Sequence, residues 1–453
     1  MAWQVREVST RTWDETRALP AKAGRMAAAG WCLTKIASSY RLHVTRAAFV
    51  SRARAARQLE ALHETNARRF YELCAAHGGA FLKVAQLLSA RADLLPAAWV
   101  RELSTLQDQA PRIDFAEVRR VIEEDHGKPL EALFASFDEE PIAAASIGQV
   151  HRAVDHQGRE LAVKVRRPRI ETLLAHDLDL LQSFVEGARD SLPKADWDTV
   201  IPEIRAMVEA ELDYGRERGT MQRLGAFLAR VEGVHAPAPV GALSSDRVLV
   251  ASFERGRRVT DVLDELTARG ETERVATILG RMLEAFVAQV LEAGIFQADP
   301  HPGNFLVTED DRVVVLDFGC AKELPSEVRD LYLSLMQAAL LSDRDRLVSL
   351  LDALGFRTES GSHATLERFA EVMLRDFRAA AASGRFHFPS RESMLHQVRA
   401  LAGAAEDDPV VKVPEHFVML GRVFGTLGGL FVHYQPSIDY ARHVLPAYLR
   451  AMG

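Results

Sequence analysis

Cysteine is scarce in this chain, with only three residues, Cys32, Cys74 and Cys320, in a length of 453. An odd number of cysteines without metal-ligand spacing excludes a disulfide framework and a cysteine-based zinc site. The pattern instead favours a reducing compartment, with thiols that are buried or incidental.

Long apolar runs are also absent. No stretch of eighteen uninterrupted apolar residues occurs, so no transmembrane helix is predicted. The nearest candidate, residues 417–432, contains Arg422 and four glycines and is typical of a packing helix. Charged and polar residues interrupt every short apolar stretch near the N-terminus, so no signal peptide is predicted. These absences predict a cytoplasmic protein.

Acidic residues are few in the first 60 residues, which contain eleven Lys or Arg and four Asp or Glu. The net charge of +7 there leaves −14 for the remaining chain, because the whole carries −7. Residues 26–50 mix Trp31 and Phe49 with Lys35 and Arg41, which suits peripheral contact with anionic lipid at the inner face of a membrane. A helix packed on the protein core fits this composition equally. Aromatic residues are sparse and no nucleic-acid fold signature is present, so no nucleic-acid partner is expected.

Two acidic motifs carry most of the functional information. Asp299 lies five positions before Asn304, and Asp317 opens an Asp-Phe-Gly triplet. Predicted strands at residues 305–307 and 313–316, joined by a turn, connect the two motifs. Protein kinases use this spacing for a catalytic-loop aspartate, a metal-binding asparagine and a second metal-binding aspartate. Either motif alone could be an ordinary turn, but the flanking apolar runs favour a phosphoryl-handling site.

The chemistry of magnesium explains these residue types. Mg²⁺ prefers hard oxygen ligands in octahedral geometry, so the Asp317 carboxylate and the Asn304 amide oxygen are suitable ligands. Phosphate oxygens and water would complete the shell. Asp299 is then placed to accept a proton from an attacking hydroxyl or to orient a water.

A candidate phosphate-binding lysine lies upstream of these motifs. Residues 161–164 read Leu-Ala-Val-Lys after a predicted turn at Gln157-Gly158, which is typical of a strand in a kinase small lobe. An ammonium group at Lys164 could neutralise phosphate oxygens if a carboxylate fixed its direction.

The loop before that strand lacks the glycines of an ordinary protein kinase. The predicted cofactor-binding loop consists of Ala143, Ala144, Ala145, Ser146 and Ile147. Each alanine carries a Cβ that resists positive φ, so the backbone cannot approach phosphates as a glycine-rich loop does. Phosphate handling is therefore expected to differ from that of a protein kinase.

Taken together, the alanine-rich loop, Lys164, the 299–304 motif and Asp317 resemble the UbiB/AarF family of atypical kinases. That family is tied to the biosynthesis of ubiquinone and related prenyl lipids. Its K-x-G-Q helix is matched by Lys83-Val84-Ala85-Gln86, with alanine in place of glycine, and the following Leu-Ser-x-Arg-x-Asp-Leu-Leu-Pro stretch is matched by residues 88–96.

The resemblance implies further site residues. Glu211 and Asp213 match the family's E-x-D signature, and Glu217 matches the glutamate that would pair with Lys164. By resemblance, Lys83, Gln86, Glu211 and Asp213 would serve the nucleotide site.

The chain also departs from the family pattern at three further positions. Gln297 replaces the histidine two places before the catalytic aspartate, which weakens the support of that loop. Thr220 replaces the asparagine after the glutamate, and Ser252 replaces the acidic hinge residue. None of these departures removes a metal ligand.

The resemblance implies an α+β, two-lobed, protein-kinase-like fold with an N-terminal helical extension packing over the active site. We predict a helical extension at residues 1–110, a small lobe with a helical insertion at 111–255 and a mainly helical large lobe at 256–453. No Ala-Pro-Glu sequence follows Gly319, so a long peptide-docking activation segment is not expected.

We therefore predict an ATP-dependent atypical kinase or ATPase that binds ATP, or ADP, with Mg²⁺. It would support biosynthesis or extraction of a prenyl-quinone lipid, with a prenyl lipid or phenolic precursor as partner. Two alternatives stay open. One is a nucleotide-gated lipid- or protein-binding module without phosphoryl transfer, and the other is a small-molecule hydroxyl kinase.

Overall fold

The computed structural model describes most of the chain in two compact units. The described residues are 18–47, 49–77, 81–82, 84–85, 95–103, 105–106, 112–144, 147–189, 197–298, 300–368, 370–371, 385–387, 408 and 410–452. The first unit lies within Met1–Arg216 and Val240–Phe253, and the second within Glu217–Pro239 and Glu254–Gly453. The division into three domains at residues 110 and 255 stays a prediction.

The first unit combines helices with one antiparallel sheet. Its helices are α1 (Ala18–Ala47), α2 (Arg52–His77), α3 (Ala97–Leu103), α4 (Phe115–His126), α5 (Leu130–Leu133), α6 (Ile170–Ala188), α7 (Trp197–Leu212) and the start of α8 (Tyr214–Leu228). Its strands are β1 (Ser136–Phe137), β2 (Ala143–Ala144), β3 (Gly148–Val154), β4 (Glu160–Arg166) and β6 (Val248–Ser252). The strand order is β1-β3-β4-β6, and β2 pairs with β3.

Alternation along β4 determines which side chains enter the core. Leu161, Val163 and Val165 are fully buried and pack in one cluster with residues of α4 such as Val121 and Ile122. Because successive side chains of a strand point to opposite faces, Lys164 projects away from that cluster. The half-buried position of Lys164 agrees with this direction.

Helices α1 and α2 pack through a buried polar network as well as apolar contacts. The hydroxyl of Tyr40 lies 2.8 Å from Nδ1 of His63, and Nε1 of Trp99 donates to the same hydroxyl at 3.1 Å. Burial raises the pKa of Tyr40 and lowers the pKa of His63. Buried polar groups are tolerated when they are hydrogen-bonded, so this network fixes the pairing of α1, α2 and α3.

The chain between residues 200 and 224 forms two helices, whereas the apolar spacing predicts one. Helix α7 ends at Leu212 and α8 begins at Tyr214. The carboxylate of Asp213 accepts a hydrogen bond from the backbone N–H of Arg216 at 2.8 Å, which is the arrangement of a helix N-cap. Asp213 therefore starts a new helix where periodicity alone would continue the old one.

The second unit is mainly helical. Its elements are the remainder of α8, β5 (Val234–His235), β7 (Arg257–Arg258), α9 (Val259–Ala268), α10 (Thr272–Ala288), β8 (Ile295–Gln297), β9 (Phe305–Val307), β10 (Val313–Val315), β11 (Ala321–Glu323), α11 (Ser326–Leu340), α12 (Arg344–Leu354), β12 (Arg357–Thr358), β13 (Arg385–His387), β14 (Val410–Lys412), α13 (Glu415–Tyr434), β15 (Ser437–Asp439), α14 (Tyr440–His443) and α15 (Leu445–Met452).

Helix α10 is the centre of this unit. Its apolar residues recur at three- and four-residue intervals, and Ile278, Met282 and Phe286 are fully buried. The ring of Phe286 meets the ring of Phe305 edge to face at 6.0 Å, which joins α10 to the strand after the 299–304 motif. Across the described part of the chain, every helix is too short or too polar to cross a bilayer.

Candidate active site

The β9–β10 hairpin of the second unit brings Asn304 and Asp317 to one end. The antiparallel register pairs Val315 with Phe305, and the N–H of Leu316 donates to the carbonyl of Asn304 at 3.0 Å. Asn304 therefore lies opposite Leu316, one residue before Asp317. Both side chains are partly accessible, as a ligand to a bound ion must be.

The turn at the other end of the hairpin is built from polar residues, as predicted. Asp311 has a positive φ of 61°, and the N–H of Arg312 donates to the Thr308 hydroxyl at 3.0 Å. This turn fixes the register, and the register places Asn304 beside Leu316.

The Asp-Phe-Gly triplet is held rigidly in the second unit. The ring of Phe318 is 1% exposed, and the N–H of Gly319 donates to the Asp317 carboxylate at 2.9 Å. The next residue, Cys320, accepts a hydrogen bond from the N–H of Ala298 at 3.0 Å. The segment that carries Asp317 is thus anchored on both sides.

Glu217 lies beside the triplet, within the same unit. A Cβ added at Gly319 would lie 3.7 Å from Oε2 of Glu217 and 3.4 Å from Oδ1 of Asp317. Glu217 is buried in the first turn of α8. A buried carboxylate needs a polar or charged partner, and the Lys164–Glu217 pair stays a prediction.

Gln297 occupies the position where the family has histidine, and the structure gives it firm support. Its side chain is buried, and its backbone N–H donates to Oε1 of Gln289 at 2.9 Å. Strand β8 pairs with β11, with Gln297 opposite Ala321. The strand before the catalytic-loop motif is therefore anchored without the histidine.

Lys164 contacts an aromatic ring in the first unit. Its Nζ lies 5.0 Å from the centroid of the Tyr214 ring, and Tyr214 is fully buried. An ammonium group above an aromatic face is attracted by the ring quadrupole. Burial lowers the pKa of Arg167, another cationic group near Tyr214, and Tyr214 opposes that shift.

The hydroxyl of Tyr214 reaches the backbone of β3 at Gly148. A Cβ at Gly148 would lie 2.6 Å from that hydroxyl oxygen and 2.5 Å from the carbonyl oxygen of Val165. Only glycine permits this close approach. Neither residue is predicted from the sequence, because Tyr214 has the appearance of a core aromatic and Gly148 follows the loop that we expected to lack glycine.

The predicted alanine loop is partly a strand. Ala143 and Ala144 form β2, opposite Val150 and Gln149 of β3. The carbonyl of Ile147, a buried residue, accepts a hydrogen bond from the N–H of Arg167 at 2.8 Å.

The two carboxylates of the E-x-D signature have different surroundings, because helix α7 ends between them. Glu211 is 8% exposed at the end of α7, whereas Asp213 is exposed and caps α8. The cap gives Asp213 a structural task beside its predicted role at the nucleotide.

Five predicted site residues lie outside the described part of the chain. They are Asp299, Lys83, Gln86, Ala145 and Ser146. Their roles stay predictions.

The donor set of the second unit suits magnesium. Asn304 and Asp317 offer hard oxygen ligands from adjacent ends of paired strands, and a nucleotide-bound Mg²⁺ takes only one or two ligands from the protein. The residues present therefore fit a metal that phosphate oxygens and water also coordinate.

Comparison with known proteins identifies the family. The model of the ABC1 atypical kinase-like domain matches residues 105–351. The chain is 30% identical over 371 residues to Protein ACTIVITY OF BC1 COMPLEX KINASE 7, chloroplastic, from Arabidopsis thaliana, covering 82% of this chain and 52% of the relative. It is 34% identical over 299 residues to AarF domain-containing protein kinase 1 from Mus musculus, covering 65% of this chain and 56% of the relative. The chain thus spans little more than half the length of these relatives.

A solved structure supports the fold. The Mycobacterium tuberculosis protein Rv3197, whose structure contains erythromycin, superposes with a TM-score of 0.61 at 24% identity, covering 87% of this chain and 98% of that chain. The predicted kinase-like α+β fold is confirmed. Because the family model matches more than half of its residues, the chain belongs to the ABC1 atypical kinase-like family, also called UbiB/AarF.

Proposed function

We propose that this protein is a UbiB-type atypical kinase or ATPase that binds ATP or ADP with Mg²⁺. The observation that carries the proposal is the hairpin end where Asn304 and Asp317 meet, with Glu217 beside Gly319. Carboxylates and amides at this spacing are the metal ligands of kinases. A family of proteins named kinases supports the same reaction class.

Each residue has a proposed task. Asn304 and Asp317 hold Mg²⁺, which when bound neutralises charge on the transferred phosphoryl group. Lys164 neutralises phosphate oxygens, Glu217 directs its ammonium group, and Asp299 accepts the proton of the attacking hydroxyl or orients a water. Lys83, Gln86, Glu211 and Asp213 complete the nucleotide site.

The proposed acceptor is not a peptide segment. Six residues separate Gly319 from the first residue of α11, and no Ala-Pro-Glu sequence follows. This connection is too short for a peptide-docking segment. We propose instead that the nucleotide cycle supports biosynthesis or extraction of a prenyl-quinone lipid, as the family's association implies.

A second candidate is a nucleotide-gated binding module without phosphoryl transfer. The observation that favours it is strand β2, whose Ala143 and Ala144 carry Cβ atoms where a kinase has a flexible glycine loop. In this case nucleotide would bind and order the protein, but turnover would be absent.

Calorimetric titration and a steady-state assay separate the two candidates. In the titration, we expect ATP or ADP to bind with a heat of binding that depends on Mg²⁺. In the assay, we expect the protein to release phosphate from ATP, and a phenolic lipid mimic to raise the rate of release. Binding without release would favour the gated module, and no binding of either nucleotide at millimolar concentration would contradict both. Lipid profiles of a deletion strain rescued with wild type or with Asp299→Asn would test the prenyl-quinone role.

Tyr214 is expected to position Lys164. We predict that Tyr214→Leu lowers kcat/KM for MgATP about tenfold, because losing a partly desolvated cation–π contact costs about 1–2 kcal/mol. Tyr214→Phe retains the ring and should stay within about twofold of wild type. Steady-state kinetics on the three proteins measures the difference.

The control for this prediction is Tyr332→Leu, which removes another buried tyrosine ring, in helix α11 of the second unit. It should lower thermal stability without a selective loss of nucleotide affinity. If Tyr214→Leu and Tyr214→Phe have the same kcat/KM, the ring does not position the lysine.

A further inference from the structure

Gln289 is a polar residue in a fully buried position of the second unit. It directly follows helix α10 and begins a π-helical turn, Gln289–Ala293. Its exposed fraction is 0%. It comes three residues after Phe286, so it lies on the same buried face of the helical run, the face that meets Phe305. Glutamine is seldom fully buried in proteins, and π-helical turns within α-helices are frequent at functional sites.

Only one end of the Gln289 amide is hydrogen-bonded. Oε1 accepts a hydrogen bond from the backbone N–H of Gln297 at 2.9 Å. Because a backbone N–H can only donate, the atom that it contacts is the amide oxygen, and the amide nitrogen is the other end of the group. Within the part of the chain that the structure describes, this nitrogen, Nε2, is buried and has no hydrogen-bond partner.

This arrangement is not the most stable one for an apolar core. A buried amide nitrogen without a partner loses its hydrogen bonds to water and gains none in return. The next two residues, Val290 and Leu291, are apolar and 4% exposed. Stability alone would favour an apolar side chain at position 289 as well. The bond from Gln297 to Oε1 of Gln289 therefore points to a purpose other than stability.

That bond lies at the entrance to the catalytic-loop motif. Gln297 is the last residue of strand β8 and comes two positions before Asp299. The following N–H, of Ala298, donates to the carbonyl of Cys320 at 3.0 Å, on the edge of β8 that faces β11. Consecutive N–H groups of an extended strand point to opposite edges, and Gln289 takes the N–H of Gln297 on the other edge. The last two N–H groups before Asp299 are thus held from both sides.

We infer that Gln289 is a positioning residue for the catalytic loop. Its Oε1 fixes the end of β8 relative to α10, so that the chain enters the loop at Asp299 in one direction. Because the bond is made to the backbone, it does not depend on the side chain at position 297, where glutamine replaces the family's histidine. The inference rests on the proposed function, in which Asp299 acts at the phosphoryl group, and Gln289 acts there only through Gln297.

Gln289→Met tests the inference, because methionine has a similar length and offers neither amide atom. We expect kcat for MgATP turnover to fall about tenfold or more, since a shift of about 1 Å in a catalytic group can cost about 100-fold. KM for MgATP should stay within about twofold of wild type, because the hairpin that carries Asn304 and Asp317 is unchanged. The melting temperature should change by less than about 4 °C, since removal of the unpartnered nitrogen offsets loss of the bond.

A conservative variant and a matched control accompany this test. Gln289→Glu keeps an oxygen at the same reach and should recover most of the lost kcat. Thr358 is also buried, and its hydroxyl donates to the carbonyl of Ser362 at 2.8 Å. Thr358→Val therefore removes one buried hydrogen bond elsewhere in the second unit and should leave kcat and KM at wild-type values. A lower melting temperature with wild-type kcat in Gln289→Met would show a purely structural role and overturn the inference. Equally low kcat in Gln289→Met and Gln289→Glu, at wild-type melting temperatures, would overturn it too.

Hydrogen exchange of the full chain without nucleotide gives a readout that does not depend on turnover. In Gln289→Met, the backbone amides of residues 295–298 should exchange about fivefold faster or more, the effect of losing one hydrogen bond of ordinary strength. The amides of residues 305–315 in the β9–β10 hairpin should exchange as in wild type. Unchanged exchange at residues 295–298 would overturn the inference whatever the turnover. Absence of turnover in wild type would instead contradict the proposed function, and the exchange rates would still decide whether Gln289 holds β8.

Discussion

Asp317→Asn is expected to lower the rate of Mg²⁺-dependent ATP turnover by at least about 100-fold, the usual effect of removing one charged group that stabilises a phosphoryl-transfer transition state. The change keeps the size of the side chain but removes the charge that Mg²⁺ requires. The amide oxygen of asparagine can accept the same hydrogen bond from the N–H of Gly319 as the Asp317 carboxylate does, so the triplet should keep its conformation. Phosphate release measured across a Mg²⁺ titration gives the result.

The control is Glu309→Gln, at the opposite end of the same hairpin. Glu309 is an exposed turn residue between β9 and β10, and its substitution removes one negative charge without approaching Asn304 or Asp317. Turnover should stay within about twofold of wild type, since surface substitutions rarely matter. Equal turnover in wild type and Asp317→Asn would refute the metal assignment, provided the melting temperatures agree.

Sequence predicts the β9–β10 hairpin of the second unit well, because the hairpin is built from residues close together in the chain. The strands at 305–307 and 313–315 are apolar runs separated by a polar turn, and their pairing follows from the turn length. Once the hairpin forms, Asn304 and Asp317 must meet at one end. The helical spacing of Leu283, Phe286, Val287, Val290 and Leu291 likewise predicts a helix before the 299–304 motif, and α10 contains the first three of these residues.

In the first unit, the surroundings of Lys164 depend on contacts between residues far apart in sequence. Lys164 meets the Tyr214 ring across 50 positions, and Gly148 meets the hydroxyl of Tyr214 across 66. No periodicity encodes such contacts, so the predictions named Lys164 and left out the ring against which it lies. The break at Asp213 was also missed, because an aspartate within an apolar helical pattern is equally compatible with a solvated position and a cap.

The exposed side of α1 shows a further limit of composition. The mixture of apolar and basic residues fits a lipid-facing helix and a core-packed helix equally. The structure distinguishes two faces of the helix: Leu33 and Ile36 are buried, while Trp31 and Leu42 are exposed. Composition alone cannot distinguish the two faces, but the three- and four-residue spacing of the buried Leu33, Ile36 and Tyr40 can.

Gly148→Ala is expected to destabilise the first unit by about 2–3 kcal/mol, the upper part of the range for overpacking a close-packed site. The new Cβ would lie 2.5 Å from the backbone oxygen of Val165, which belongs to the β3–β4 pair and cannot turn aside as a flexible side chain can. Relief requires β4 to shift, and β4 carries Lys164. We therefore expect a melting temperature lower by roughly 5 °C, together with weaker MgATP binding.

A second variant separates the two obstacles that the Cβ would meet. Tyr214→Phe removes the hydroxyl, which would lie 2.6 Å from the Cβ, but leaves the Val165 carbonyl in place. Gly148→Ala with Tyr214→Phe should therefore regain only part of the lost stability; full recovery would show that the strands tolerate the Cβ and that the hydroxyl alone requires glycine.

Gly30→Ala, in helix α1 with no atom within 4 Å of the added Cβ, should be neutral or stabilising by up to about 1 kcal/mol. Alanine stabilises a helix relative to glycine, whereas we expect it to destabilise strand β3 at Gly148. If the two substitutions change the free energy of unfolding in opposite directions, the loss at Gly148 comes from the close approach of β3 to the Val165 carbonyl and to Tyr214, the ring that contacts Lys164.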